Sequence, residues 1–593
     1  MLNKSKNIAL AGMTMTVLAL GLVGCGTNTQ NGSRSTIENA VTEKVGAAST
    51  TTPQQGGVLI YALPPATNIT WYFPIENGSN DTVVNAMLSQ QLYPGLFTIN
   101  NQDAIDFRNG FANKITYNSS GTVYTISLKK NWKWSDGVPV TAQDVVWDYR
   151  LIQATDAPNA PAPWPNYNNG NGGIPKDVKS VIAIGKYTVQ VTLNKPVNQQ
   201  WFIYNGIGQL QPLPEHAWNK YPNNMTKEIT YLGKVATDPT FFTVVDGPFK
   251  LQSAVSSRAW TLVPNPLYGG HKSPLSKLVF EYEASNDAEF AALKTGAVNL
   301  GYLDLSQYGS ERALTSMGDT IEPGYSLGYN FVNVNFLKGS PLYSAMRDLK
   351  VRQALEMGID QTTIDNDIYH GFAPPQYGPI PNVPKTVFSD PKLAKPIYPY
   401  DPAKAVKLLE SDGWKLVNGV MTKGNQQLKF DMLYPSGSES YTQTAELMAQ
   451  DWRKMGVIAN LKPEPFATEI SIMTNTSDPG GWVAAAETGI FYGGMYPSGE
   501  SQFEPGAMDD YGYNDPTENK LIAKTIEPSS SAAETKKNFF AYEEYTAKML
   551  PVLWTNEVAN LTVVTPQVHN ATPEYLVPTT GYPMFNYLWV AKN

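Results

Sequence analysis

The sequence predicts a mixed α/β protein with more than one core-forming unit. Two kinds of observation support this. Short strand-like runs and helix-like runs alternate along almost the whole chain, and at 593 residues the chain exceeds what a single core organises. Charged residues are 16% of the total, below the usual quarter, while aromatics reach 11% with 13 Trp and 33 Tyr. Core packing accounts for most of these rings, and a wide aromatic-lined cleft would use the same residues.

The first element is a leader. Lys4 and Lys6 form a short positive region, Ile8 to Val23 is an almost uncharged apolar segment of signal-peptide length, and Leu22-Val23-Gly24-Cys25 follows. Cys25 is the only cysteine, and its setting resembles a bacterial lipobox, in which the thiol is acylated and the chain is cut before it. Residues 1–24 are then a lipoprotein signal peptide, Cys25 is the lipidation site, and two or more acyl chains give stable anchoring. An ordinary signal peptide or signal anchor with an incidental cysteine is the alternative. With Cys25 acylated, no thiol is left for a disulfide or a thiolate metal site. The formal charge of −8 becomes −10 when Lys4 and Lys6 are removed, which argues against nucleic acid and against a polybasic hold on anionic lipid. No later segment approaches the uninterrupted apolar length of a membrane-crossing helix.

Residues 25–55 are Ser, Thr, Asn, Gln, Gly and Ala with little apolar content, and read as a flexible tether. Order begins at Gly57-Val58-Leu59-Ile60-Tyr61-Ala62, a buried-strand pattern. Tyr124-Thr125-Ile126-Ser127-Leu128 alternates as a strand, and Thr141-Ala142-Gln143-Asp144 opens a helix with Thr141 as its cap. The stretch 156–175, rich in Pro, Asn and Gly, reads as a surface loop, and Val181 to Leu193 as a hairpin about Gly185-Lys186. Asp348 to Ile359 and Pro402 to Leu409 have helical spacing, the second with Asp401 as N-cap and Pro402 in the first turn.

The stretch from Tyr124 to Val146, with Lys129-Lys130, Trp132-Lys133-Trp134-Ser135-Asp136-Gly137-Val138-Pro139 and Thr141-Ala142-Gln143-Asp144-Val145, resembles the signature of the family 5 extracellular solute-binding proteins. These are the oligopeptide, dipeptide and nickel binders of ABC importers. Further matches follow in family order: Pro214-Glu215-His216, Gly247-Pro248-Phe249-Lys250-Leu251, Asn265-Pro266-Leu267-Tyr268, Leu293 to Asn299, Val351-Arg352-Gln353-Ala354-Leu355 with Ile359-Asp360, and Asp401-Pro402 to Gly413-Trp414.

The resemblance implies a two-lobe α/β fold of the periplasmic-binding-protein class II type, with a large cleft and hinge strands between the lobes. Lobe I, with an extra subdomain, would span 56–328 and return at 553–593, and lobe II would span 329–552. The ligand is expected to be an oligopeptide held by strand addition in a wet cleft. The expected partners are an ABC permease with its ATPase subunits and the membrane through the lipid, with the protein itself a monomer without cofactor.

One segment departs from the family pattern. Peptide-binding members carry Gly-Trp-x-x-Asp-x-x-Asp-Pro, whose first Asp meets the peptide α-ammonium. Here the segment is Gly489-Ile490-Phe491-Tyr492-Gly493-Gly494-Met495-Tyr496-Pro497, with Gly493 at the place of that Asp and Ile490 at that of the Trp. Glu487 on the preceding strand is a replacement carboxylate, and a buried ammonium without one is costly. The change also opens a second reading, a neutral oligosaccharide bound on aromatic platforms. The ligand-binding candidates are therefore Asn68, Trp71, Trp482, Glu487, Tyr492, Gly493 and Tyr496, with packing as the competing role for each ring, including Trp71-Tyr72-Phe73.

A ligand-sensing receptor is the alternative outside transport. Gly324-Tyr325-Ser326-Leu327-Gly328 matches the G-x-S-x-G pattern of serine hydrolases. That motif needs a following helix, and Tyr329 to Val334 alternates as a strand, so Ser326 is read as part of the hinge approach. His216, His271, His370 and His569 are too scattered for metal-ligand spacing.

Overall fold

The computed structural model describes residues 35–38 and 52–592, apart from 101–102, 169, 476, 492–495 and 506–510. Cys25 and its lipobox lie outside the described residues. Three sheets organise the rest.

The first is a seven-stranded mixed sheet in the order Thr320–Gly324, Asn560–Val564, Leu300–Leu303, Val58–Ala62, Lys277–Glu281, Ala259–Pro264 and Phe249–Val255. Val58–Ala62 is its centre and runs parallel to both neighbours. A strand in that position is covered on both faces, which explains its apolar run and the burial of Leu59, Tyr61 and Ala62. Parallel neighbours need crossovers. One of these is the helix Asn286–Thr295, capped where Ser285 Oγ accepts from Ala288 N–H (3.2 Å) and ended by Gly296 at φ 71°.

The second sheet is an antiparallel subdomain whose strands, Ser35–Glu38 apart, are inserted between Val58–Ala62 and Phe249–Val255. Its strands are Ser35–Glu38, Ala112–Tyr117, Val123–Leu128, Thr188–Leu193 and Val178–Gly185. Val123–Leu128 and the hairpin fall where the alternation places them. Ser35–Glu38, within the expected 25–55 tether, pair antiparallel with Lys114–Tyr117 at the sheet edge. The helix Ala142–Thr155 covers this sheet, with Val145, Trp147 and Leu151 fully buried. The Asp144 carboxylate accepts from Thr141 N–H (2.7 Å) and Thr141 Oγ (3.0 Å), which fixes the start of the helix. In the preceding turn Gly137 stands at φ 94° and Asp136 accepts from Val138 N–H (3.0 Å). Asp136 also meets His216 Nε2 at 2.9 Å, so His216 ties the short helix Glu215–Trp218 to the turn.

The third sheet has the order Ile458–Glu464, Lys429–Pro435, Ala484–Phe491, Gly328–Val334 and Val552–Trp554. Gly328–Val334 is buried along its whole length between antiparallel neighbours. The helix Leu349–Glu356 is capped by Asp348, and Pro402–Ser411 by Asp401, whose Oδ1 accepts from Lys404 N–H at 2.8 Å.

The chain thus leaves the first sheet after Gly324 and enters the third at Gly328. It leaves the third after Trp554 and re-enters the first at Asn560. Leu553 and Trp554, at the expected start of the return, are strand residues of the third sheet. The loop 156–175 is not wholly at the surface: Trp164, Ile174 and both Gly172 and Gly173 are buried. A Cβ on Gly172, at φ 61°, would lie 2.2 Å from the Asn205 backbone, so the loop closes directly on the segment 202–206.

Candidate functional site

Two sheets joined by two short crossings form a hinged pair, and the site is the seam between them. On the hinge side, Tyr325, Ser326 and Leu327 make the first crossing and 555–559 the second. Leu327 N–H donates to Pro578 O (2.8 Å) and Asn330 N–H to Asn556 O (2.8 Å). A loop of the second lobe braces the return crossing. Gln376 N–H donates to Thr555 O (2.9 Å), Glu557 N–H to Pro374 O (2.9 Å) and Ala559 N–H to Phe372 O (2.9 Å). Glu557 accepts from the Asn382 and Val383 N–H groups at 2.6 and 2.7 Å, yet burial outweighs these bonds and pushes its carboxyl up to about 8. Ser326 is followed by a strand and not by a helix, so the nucleophile-elbow geometry is not built.

The lobes touch again away from the crossings. Ser440 Oγ lies 3.5 Å from Asp304 Oδ1, and the Tyr308 ring packs on His370 and Phe372 with centroids 5.2 and 5.0 Å apart. At the subdomain, Asn205 pairs with the backbone of Tyr496 in both directions: Tyr496 N–H donates to Asn205 Oδ1 (2.8 Å) and Asn205 Nδ2 donates to Tyr496 O (2.9 Å). Next to it Glu500 Oε1 accepts from Trp201 Nε1 (2.5 Å), Gly172 N–H (3.2 Å) and Asn205 Nδ2 (3.4 Å). Asn198 N–H donates across the same seam to Ile526 O at 2.6 Å. The structure is therefore a closed form.

The residues singled out from the sequence are placed as follows. Asn68 is half-buried, and its Oδ1 accepts from Ser257 N–H (2.6 Å) and Ser256 Oγ (3.1 Å), so it holds the turn between two strands of the first sheet. Trp71 is buried at 3% exposure, donates to Ile75 O (3.1 Å) and meets Trp164 edge-on at 6.1 Å. Tyr72 and Phe73 are buried beside it. Trp482, at 1% exposure, packs edge-on against Tyr511 in a small cluster with Leu433, Met473 and Ala485. Tyr496 is fully buried, donates its hydroxyl to Thr525 O (3.0 Å) and packs on Phe388 and Phe539. None of these five rings presents a face to the seam; only the backbone of Tyr496 does. Glu487 lies in the strand Ala484–Phe491, where the register shifts between the pairs Phe331–Thr488 and Asn333–Ala485. Tyr492 and Gly493 lie outside the described residues.

Sequence reasoning passed over Trp201, Asn205 and Glu500. Nothing in the run Gln199 to Gly206 marks it, because its partners stand almost three hundred residues away. Among the described residues there is no cluster of three potential metal ligands, and no helix is long and apolar enough to cross a membrane.

Comparison with known proteins agrees with this architecture. The oligopeptide-binding protein OppA of Lactococcus lactis subsp. lactis is 26% identical over 502 residues, covering 79% of this chain and 80% of its own. The solved structure of lactococcal OppA, complexed with an endogenous peptide in the closed conformation, superposes with a TM-score of 0.72 at 23% identity, over 90% of this chain and all of that one. A periplasmic EDTA-binding protein, EppA, superposes with a TM-score of 0.77 at 18% identity over 93% of this chain and all of that one. Residues 106–498 match the description "Bacterial extracellular solute-binding proteins, family 5 Middle". With two sheets hinged by paired crossings and that match over most of its length, this chain belongs to the family 5 bacterial extracellular solute-binding proteins.

Proposed function

We propose that the protein is the substrate-binding component of an ABC importer, that it captures oligopeptides by hinge closure, and that lipid on Cys25 holds it, as a monomer, outside the cytoplasmic membrane. The observation that carries this is the closed seam itself: two sheets, two antiparallel crossings, and contacts on both sides of the cleft. Such a fold does work by differential binding, because a ligand touched by both lobes favours the state in which both can touch it. The closed form then docks on a membrane permease whose ATPases drive transport, and the protein carries out no reaction of its own.

The peptide reading gains on the sugar reading for a specific reason. A sugar platform needs an exposed ring face, and Trp71, Trp482 and Tyr496 are each buried in one lobe or the other. An oligopeptide needs chiefly main-chain partners and water in the cleft.

The test is a thermal-shift screen of the purified protein with free-amine peptides, N-blocked peptides and neutral oligosaccharides, since a ligand of the folded state raises the melting temperature by mass action. Free-amine peptides are expected to shift it, with Glu487 taking up the ammonium that Gly493 cannot. A shift by oligosaccharides alone would overturn the peptide reading.

A further inference from the structure

Every donor that reaches Glu500 comes from the far side of the cleft. Trp201 Nε1, Gly172 N–H and Asn205 Nδ2 belong to the subdomain, and Glu500 opens the short helix Glu500–Phe503 of the second lobe. All three converge on one oxygen, Oε1. The neighbouring Asn205–Tyr496 pair is equally a contact between lobes, and it joins a side-chain amide to both backbone polar groups of one residue. Both contacts are direct hydrogen bonds between protein groups.

The charges around Glu500 are few. Glu504 follows on its own element and raises the cost of a second negative charge, while Lys176 of the subdomain faces Glu504. Asp177, on the loop that carries Gly172 and Gly173, is paired with Lys195 at 4.0 Å. The Tyr496 hydroxyl is engaged by Thr525 O. Among the described residues no lysine, arginine or histidine forms an ion pair with Glu500. A carboxylate seated among protein atoms without a cation is costly, and a neutral acid in the same place is much less so. An acid's carbonyl oxygen still accepts hydrogen bonds, and with all three donors on Oε1 the proton falls to Oε2.

We propose that Glu500 and Asn205 are positioning residues for lobe closure, forming a latch at the rim that engages without ligand and takes up a proton as it closes. Burial pushes the Glu500 carboxyl from its ordinary 4.5 up to about 7, and the bonds from Trp201, Gly172 and Asn205 only partly offset this. When the lobes part, all three donors leave and the group returns to water. The closed form therefore holds the proton more tightly, and the sign follows: latching is strongest below about 4.5, weakens as pH rises towards about 7, and is weakest above it.

The inference rests on the two-lobe fold and not on which ligand is carried, so it stands or falls separately from the peptide reading. The test is amide hydrogen exchange, read by mass spectrometry on the ligand-free protein and corrected for the intrinsic pH dependence of exchange. The Gly172 and Tyr496 amides, which donate across the seam, are the reporters, and the Tyr61 and Val332 amides inside the two sheets report folding. In the unaltered protein, protection of the reporters is expected to fall at least about tenfold between roughly pH 5 and pH 8. Glu500→Gln, which keeps the carbonyl and cannot ionise, is expected to hold that protection across the range, while Asn205→Ala loses it at Tyr496 throughout. A flat profile in the unaltered protein, or a Glu500→Gln profile that follows it, would overturn the proposal. The first of these needs no variant to fold.

Discussion

Arg352 spends its charge on carbonyls. It is 3% exposed, and its guanidinium donates to Met346 O at 2.6 Å and to Met549 O at 2.8 and 3.3 Å, with the Phe336 ring 5.1 Å beneath. Burial brings its pKa down to about 10. The planar fork is what lets one side chain reach two carbonyls of different segments, and so join the helix Leu349–Glu356 to the end of the helix Ala532–Met549. Arg352→Leu leaves both carbonyls unpaired in the interior and is expected to cost roughly 2–4 kcal/mol. Arg352→Lys, a point charge without the fork, should fall between. Urea unfolding measures both, and an unchanged midpoint in Arg352→Leu would show that the two carbonyls find other donors.

Helix ends are where this sequence is easiest to read. Asp401 caps Pro402–Ser411 from one side-chain oxygen, so Asp401→Ala is expected to lower stability by about 1 kcal/mol, seen as an earlier urea midpoint with unchanged slope. Thr141 with Asp144 works the same way. In both cases the partner stands three residues away, within the reach of local pattern. The central strand Val58–Ala62 is legible because burial on both faces leaves an apolar run. The seam was not. Trp201 and Asn205 meet Glu500 and Tyr496 only because the fold brings two distant segments together, and no local period records it. The aromatic candidates failed for a related reason. Composition shows that Trp71 and Trp482 are large and apolar, but not whether a ring faces a cleft or a core, and the tertiary structure places both in the core. The Pro, Asn and Gly of the loop 156–175 suggest a surface segment. Its glycines serve close approach instead, with Gly172 against the Asn205 backbone.

Among the described residues, buried carboxyls that form no ion pair recur and share one sign. Burial lifts Asp156, Glu500 and Glu518 to about 7, and Glu557 to about 8. Hydrogen bonds from Tyr513 and Thr546 to Glu518, and from the Asn382 and Val383 backbone to Glu557, reduce these shifts without cancelling them. Each folded value lies above the ordinary carboxyl range, so the folded state binds more protons than the unfolded one. Stability from this set is complete in acid and is lost as pH rises towards about 8. The carboxyls that move the other way are exposed or half-buried, Asp136 and Glu544 among them, and they weaken the fold only when pH drops below the ordinary carboxyl range. Burial lowers His271 and His569 below their ordinary 6.5 and Lys129 to about 8, which opposes the slope only in part. Between those limits the buried set decides the slope. The melting temperature of the ligand-free protein is therefore expected to fall by about 3 °C or more between roughly pH 5.5 and pH 8.5. Glu557→Gln should flatten that fall, because a hinge carboxyl raised to about 8 no longer titrates. A melting temperature that climbs over the same range would mean that these carboxyls ionise in the folded protein as easily as in water, and would remove the physical basis of an acid-favoured closed form.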